Sequence, residues 1–436
     1  MMSEVWVRRC VWGLVVLGFA IRLGLGVARG LDAPPAPGSD AEEYDTYAWN
    51  MAQGRGYRGM SPDVADQDHL TAYRPPGTSV AWAGVYAVTG HRYAAIRLLN
   101  CVLGAATIAA VFAIGRRCFS PGIGLLASAG YAVYPHAIFY SSELLSETQG
   151  TLLFVLYLLA CLRFADGPSW GRAAWAGVLL GLTMLTRPAA LFLIPFTAVW
   201  AFWTFRRSWD LLRFAALPVT TGACLVPWIV RNYLVFHAFI PFSTMGGSVL
   251  LQGNNRLVCE DPSLRGYSVW DTKIPEYAAA LKAPNDELVR DQVAGRLAKE
   301  WIRAHPDRWA FLAVAKLERA FTPFLQDRSP RLYRLGMLWS WGPVLLLSLA
   351  AFLPTLIAMF RSGNPGWLLH AGIAHYAVVS LVFFGYSRYR HPIEPLCLVL
   401  SAAAVAFAWE RLGGTLRGFL VVSRLAIPAR GYPTPP

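Results

Sequence analysis

The 436-residue chain is 55% hydrophobic and 15% charged, and it carries a formal net charge of +13. This balance excludes a disordered chain and a nucleic-acid-coating protein, and it points to an integral membrane protein. The excess cations follow the bilayer: Arg8, Arg9, Arg116, Arg117, Arg172, Arg206, Arg207, Arg361, Arg411, Arg417 and Arg424 flank apolar runs on one consistent side. The positive-inside rule makes that side cytoplasmic.

The apolar runs are Cys10–Ala28, Ala94–Ile114, Ile123–Tyr140, Leu152–Phe164, Trp175–Phe205, Leu211–Val230, Leu335–Phe360, Trp367–Phe384 and Pro392–Trp409. A helix needs ~20 such residues to cross the hydrocarbon layer. Trp175–Phe205 is too long for one crossing and holds Arg187-Pro188, so it reads as a hairpin. About ten spans result, with both ends of the chain cytoplasmic. The first run is followed by Val27-Ala28-Arg29-Gly30, a poor processing site, and reads as a retained span. The chain thus divides into an N-terminal transmembrane module (1–230) with a first outer loop (30–93), a large outer loop (231–330), C-terminal transmembrane helices (331–412) and a basic cytoplasmic tail (413–436).

In chain order, Pro34, Pro35 and Pro37 make the start of the first outer loop turn-rich. Tyr44, Tyr47, Ala48 and Met51 then recur at helical spacing, predicting an amphipathic helix over Glu42–Gln53 against the bilayer, with Ser39 as a cap. Pro75–Val88 reads as a short interfacial helix. The large loop opens on MGGSVLLQGNN (245–255), whose glycines permit unusual backbone angles. Asn285–Arg303 reads as a charged helix, and Ala310–Phe321 as an interfacial one. Of seven cysteines, only Cys259 falls in the large loop, so free buried thiols are expected.

With this topology the unusual charges collect on the outer side: Asp40, Glu42, Glu43, Arg74, Arg97, Glu143, Glu147, Arg187, Arg256, Arg388, Arg390 and His391. Arg22 lies in the outer half of the first span. Charges at hydrocarbon depth are costly, which makes them functional suspects. Carboxylates facing guanidiniums could hold a substrate with a hydroxyl to deprotonate and a phosphate to bind. The spacing of four between Glu143 and Glu147 places both on one helix face, where they could steady an arginine or bind a divalent ion. Phosphate-loop, haem, zinc-protease and dinucleotide signatures are missing.

Several segments, in this order, resemble the GT-C superfamily of polyprenyl-phosphate-dependent glycosyltransferases, in the bacterial branch related to protein O-mannosyltransferases and aminoarabinose transferases. They are SDAEEYDTYA after the first span, YRPPGTS (73–79), SELLSET after the third span, STMGGSVLLQGNN (243–255) and SRYRHPIEP (387–395). The resemblance implies an all-α, multi-span GT-C-like helical bundle with outer-face interfacial helices and one large outer loop. It implies transfer of a sugar from a polyprenyl-phosphate-linked donor to a cell-envelope glycan, lipid or protein, with inversion. Asp40 matches the first-loop acid that acts as base, with Glu43 its rival. The place before Arg74, acidic in many relatives, is Tyr73 here.

A carboxylate can take the acceptor's proton, and arginine's planar fork suits the leaving phosphate. Arg388 and Arg390 are the expected phosphate ligands, with Arg74 assisting. Tyr44, Arg97, Glu143, Glu147, Arg187, Asn254, Asn255, Arg256, Tyr389 and His391 are candidates for supporting or substrate contacts. No cofactor is expected, and a divalent metal stays open. The partners are the lipid-linked sugar, membrane lipids and the acceptor, without nucleic acid. The expected location is a bacterial inner membrane, with the site on the periplasmic face. The competing reading is a transporter or flippase of lipid-linked sugars. Transporters frequently show related halves, and no half-to-half repeat is visible.

Overall fold

Backbone polar groups in lipid must be satisfied within the chain, and long apolar runs therefore become helices. The computed structural model describes residues 3–61, 66, 68–206, 208–282, 284–324 and 331–412, with 332 and 333 by backbone only. The expected basic tail (413–436), with Arg417 and Arg424, lies outside the described residues, as does Arg207. The N-terminal part holds α1 (Glu4–Ala28), α2 (Asp40–Ala52), β1 (Arg58–Gly59), β2 (His69–Leu70), α3 (Gly77–Thr89), α4 (Tyr93–Cys118), α5 (Pro121–Ala132), α6 (Pro135–Ser142), α7 (Glu147–Asp166), α8 (Trp170–Thr186), α9 (Leu193–Phe205), α10 (Asp210–Phe214) and α11 (Ala216–Phe236). The large loop holds α12 (Gly246–Gly253), α13 (Arg256–Glu260), α14 (Ala278–Lys282), α15 (Glu287–Ala304) and α16 (Pro306–Phe321). The chain closes with α17 (Arg331–Ser362), α18 (Leu368–Val382) and α19 (Glu394–Arg411). β1 and β2 form one antiparallel two-residue ladder.

Among the described residues, 8 helices are long and apolar enough to cross a membrane. Two of the ten expected spans are not among them. The run Ile123–Tyr140 is split between α5 and α6, and α8 has 17 residues. The hairpin expected at Arg187-Pro188 is present, α8 ending at Thr186 and a 3₁₀ turn beginning at Pro188. α1 and α4 run antiparallel. Glu4 approaches Arg116 at one end, and Arg97 donates to the Leu31 carbonyl at the other. At ~1.5 Å per residue the two ends lie roughly 37 Å apart. Arg117–Asp166 joins the first end, so cationic loops gather there while the acidic first loop gathers at the other.

Arg22, a functional suspect by depth, has a structural task. Pro135 cannot continue the ladder of α5, which leaves carbonyls without partners in an apolar setting. The fully buried Arg22 guanidinium donates to Ala132 O at 3.1 Å, Tyr131 O at 3.2 Å and Gly18 O at 2.9 Å. Gly104 makes room, since a Cβ there would lie 2.7 Å from Arg22 Nε.

α2 begins at Asp40 with Ser39 as its cap, as expected, but its apolar face meets protein rather than lipid. Tyr44, Tyr47 and Ala48 are buried, and Tyr44 meets Trp82 of α3 edge-on at 6.2 Å. Two glycines of the 245–255 stretch, Gly247 and Gly253, serve close approach, not unusual angles, and Gly246 likewise has an ordinary φ. A Cβ on Gly253 would lie 1.9 Å from the Phe383 carbonyl oxygen, and one on Gly247 would lie 2.0 Å from that of Asp291. α16 is likewise less interfacial than its sequence implies. Lys316 points inward, fully buried, and donates to Asn254 Oδ1 at 2.6 Å and to the carbonyls of Leu381 and Val382. Burial pulls its pKa down to about 7. All seven cysteines are free.

Candidate active site

The start of α2 sorts its own four carboxylates, Asp40, Glu42, Glu43 and Asp45. Ser39 Oγ accepts the Glu42 N–H, and the Glu42 carboxylate accepts the Gly38 N–H at 2.6 Å, a variant of the capping box. Asp45 accepts from the Tyr86 hydroxyl and pairs with His91 at 2.8 Å. Two acids are thus spent on local structure. Asp40 and Glu43, three apart and on one face of α2, meet Arg74.

Arg74 Nη2 donates to Asp40 Oδ1 at 2.6 Å and Nε to Glu43 Oε2 at 2.5 Å. The second oxygen of Asp40 accepts from Arg388 Nη1 at 2.7 Å. Arg388 Nε donates to Glu147, which also faces Arg187 at 3.3 Å. Tyr389 lies under this chain, its ring centroid 5.6 Å from the Arg187 guanidinium and 5.8 Å from that of Arg388. Three guanidiniums and three carboxylates therefore alternate, drawn from α2, the loop before α3, the start of α7, the end of α8 and the 3₁₀ turn before α19. Glu147 is fully buried, whereas the side chains of Asp40 and Arg388 keep 29% and 28% exposure. These two line a cavity of about 570 Å³ with Arg29, Arg97, Glu143 and the apolar side chains of Ala33, Pro34, Pro35, Leu144 and Leu145.

Burial raises the pKa of Asp40, but Arg74 and Arg388 outweigh it and hold the carboxyl at about 2. For Glu43 burial wins over Arg74, and its pKa is raised. The two acids on one helix face are thus driven apart by their surroundings.

Other expected site residues go elsewhere. Glu143 and Glu147 do not share a helix face, because α6 ends at Ser142 and α7 begins at Glu147. Glu143 pairs with Arg29 at 2.5 Å. The carbonyls freed at that break are taken by Arg97, which donates to Ser142 O, and by Asn100, which donates to Glu143 O. Arg390, expected beside Arg388, is fully buried and points away. It donates to Glu394 at 2.9 Å and to Ala320 O at 3.1 Å, with its guanidinium 4.2 Å from the Trp341 ring centroid. A 3₁₀ turn spans Ser387–Ile393, and at three residues per turn positions two apart cannot face one target.

His391 pairs with Glu394 at 3.1 Å, and so does His136 at 2.8 Å. Asn254 holds Lys316, Asn255 caps α13, and Arg256 is exposed and faces Glu260 and Glu276. Tyr44 stays at the site, 5.7 Å from Arg74. Sequence reasoning missed Ser146, which accepts from Arg187 at 3.2 Å, and the His136–Glu394 pair. No local signal links residues so far apart in the chain.

Two groups bring together donors of the kind that bind a divalent cation. In the Asp40 cluster both Asp40 oxygens already face guanidiniums, and a dication there would lie among three of them. The donor atoms of His136, His391 and Glu394 lie within 4.8 Å of one another, but Arg390 holds the same carboxylate and would repel a second cation in a sealed setting. Neither arrangement suits a divalent metal.

The architecture matches solved structures. Archaeal oligosaccharyltransferase AglB from Archaeoglobus fulgidus, in complex with an inhibitory peptide and a dolichol-phosphate, aligns at TM-score 0.60 and 13% identity over 97% of this chain and 52% of that one. An Archaeoglobus fulgidus oligosaccharyltransferase in complex with Zn and sulfate aligns at TM-score 0.56 and 14% identity, over 95% of this chain and 51% of that one. The chain spans about half the length of these proteins. ArnT from Cupriavidus metallidurans bound to undecaprenyl phosphate aligns at 0.42 and 15%, over 94% and 80%, too weakly to build on. The fold is the one seen in the archaeal oligosaccharyltransferase. Within it, residues 73–230 match the family described as dolichyl-phosphate-mannose-protein mannosyltransferase. No curated protein matches the chain.

Proposed function

We propose that this protein transfers a sugar from a polyprenyl-phosphate-linked donor to a hydroxyl-bearing acceptor, a glycan, lipid or protein of the cell envelope. The reaction runs on the non-cytoplasmic face of a bacterial inner membrane, with both chain ends cytoplasmic. The observation that carries this reading is the placement of Asp40 between Arg74 and Arg388 at the wall of a cavity. The fold shared with a protein that binds a dolichol-phosphate supports the lipid carrier.

The acceptor oxygen attacks the anomeric carbon from the face opposite the phosphate, and its proton passes to an Asp40 oxygen. The bond between that carbon and the phosphate oxygen breaks, its electron pair leaves on the phosphate, and the anomeric carbon is inverted. Arg388 and Arg74 supply fixed donors to the charge that develops there. Before donor binding, both Asp40 oxygens are held by guanidiniums, which makes the carboxylate a weak base. A donor phosphate competes with Asp40 for Arg388. Once Arg388 turns to it, one Asp40 oxygen is released and its pKa climbs towards the ordinary range. The donor thereby prepares the base that uses it. Glu147, itself paired with Arg187, holds Arg388 in reach, and Glu43 holds Arg74.

The test is transfer from radiolabelled polyprenyl-phosphate sugars to cell-envelope acceptors in proteoliposomes. Asp40→Asn abolishes product while Glu43→Gln retains a measurable rate. Full turnover by Asp40→Asn with loss in Glu43→Gln moves the base to Glu43. Carrier translocation without any product returns the reading to a flippase.

A further inference from the structure

The segment that carries Arg74 is held from two sides, first by Tyr57 of the same loop, whose carbonyl accepts the Thr71 N–H at 3.2 Å and whose hydroxyl donates to Arg74 O at 3.0 Å. Between β2 and α3 it runs as Thr71-Ala72-Tyr73-Arg74, and its second fastening comes from the large outer loop, with Glu287 more than two hundred residues on. Glu287, the first residue of α15 and 5% exposed, accepts from Thr71 Oγ1 at 2.6 Å and from the Ala72 N–H at 2.7 Å. It also accepts from Thr244 Oγ1 at 3.1 Å and faces His69 Nε2 at 3.2 Å. Thr71 in turn accepts the Tyr73 N–H at 2.9 Å, and Thr244 N donates to Ala72 O at 2.9 Å. One carboxylate thus gathers the two residues that lead into Tyr73 and Arg74.

Resting on the role given to Arg74 above, we propose that Glu287 is a positioning residue: it sets the reach of Arg74 towards the donor phosphate and so ties the large outer loop to the reaction centre.

A single carboxylate accepting from three protein donors and a histidine is more than the start of α15 requires, because Asp286 already caps that helix through the Val289 N–H at 2.8 Å. The Glu287 carboxylate faces inward to the 69–72 segment. Burial raises its pKa, but His69 and the Ala72 and Thr71 donors outweigh this, so it is lowered and the group stays ionised. His69 has an oxygen acceptor at each ring nitrogen, the other being Asp66 O at 2.5 Å. Its pKa is raised, chiefly by the bond to Glu287. An arginine misplaced by even ~1 Å can cost about 100-fold in a reaction that depends on alignment.

The test measures binding of a polyprenyl phosphate to the full chain in nanodiscs for the wild type, Glu287→Gln, Arg74→Ala and the double variant, with thermal unfolding followed in parallel. Thr71→Val, which removes one donor and keeps the shape, guards against misfolding of Glu287→Gln. The expected result is about tenfold weaker binding for Glu287→Gln, a smaller loss for Thr71→Val, and a double variant no weaker than Arg74→Ala alone. Wild-type binding by Glu287→Gln beside a weakened Arg74→Ala overturns the inference and leaves the reading of Arg74 intact. Losses that add in the double variant overturn it too, since they show Glu287 acting on the fold and not through Arg74. Unchanged binding by Arg74→Ala removes the reading of Arg74 and this inference together.

Discussion

Arg388 and Arg390 stand two residues apart and enter two different charge clusters. Arg388 joins Asp40 and Glu147 and opens onto a cavity, its side chain 28% exposed; Arg390 joins Glu394, His136 and His391, where every side chain is at most 1% exposed. The open cluster has charges that a ligand can reach and partners that can be exchanged. The sealed one pairs its buried charges with each other, out of reach of a ligand. Buried charge alone therefore does not mark the chemistry. In the proposed reaction the chemistry falls to charge beside accessible space, and the sealed cluster instead joins the α5–α6 break to the start of α19.

The largest effect that separates the two falls on Arg388. Arg388→Ala should lower transfer by about 10²–10³-fold, the loss seen when a fixed donor to developing charge is removed, with unfolding temperature nearly unchanged. Equal losses for Arg388→Ala and Arg390→Lys would erase the distinction. Glu394→Ala should act on the fold instead: removing one partner of a buried ion pair costs about 3–5 kcal/mol, to be read from thermal unfolding in detergent. Stability equal to wild type would show that the sealed cluster holds nothing together.

A third difference is in pH. Asp40 has a folded pKa of about 2, below its unfolded value of roughly 3.9. Its contribution to stability is therefore complete above ~4 and is lost as pH falls through about 2. In kinetics, the acid limb for the free enzyme, read from kcat/KM for the donor, should lie well below pH 4. With donor saturating and acceptor varied, the limb should move upward, because the phosphate has taken Arg388 from Asp40. A limb that stays put would contradict the exchange. The smallest effect concerns metal. Chelator treatment should leave turnover within about twofold of the untreated enzyme, since losing less than ~0.4 kcal/mol of barrier stabilisation is the most that this permits; a large loss restored by a divalent cation would reverse the charge argument made for both clusters.

Much of this was legible in the sequence. Apolar runs located eight helices long and apolar enough to cross a membrane, and Ser39 marked the start of α2. Asp40, Arg74, Glu147 and Arg388 stand among the twelve charges that residue type and side collect, the family resemblance points to Asp40 as base, and the structure brings these four together. What was not legible depended on breaks in helical phase. Glu143 and Glu147 read as neighbours on one face until the interruption at residues 143–146 separated them. Arg390 read as a companion of Arg388 until the 3₁₀ turn rotated it away. Arg22 read as a reactive charge because the carbonyls it satisfies belong to α5, far along the chain. In each case an irregular segment, set by tertiary contacts, overrode a local periodicity.

The central claim, that one carboxylate serves as base while its arginine partner serves the donor phosphate, is tested most directly by measuring both activities in one variant. Asp40→Asn leaves Arg388 without its competitor, so it should bind a polyprenyl phosphate at least as tightly as wild type while transfer falls about 10²–10⁴-fold, the usual contribution of a general base. Transfer at the wild-type rate, or loss of binding alongside loss of transfer, would contradict it.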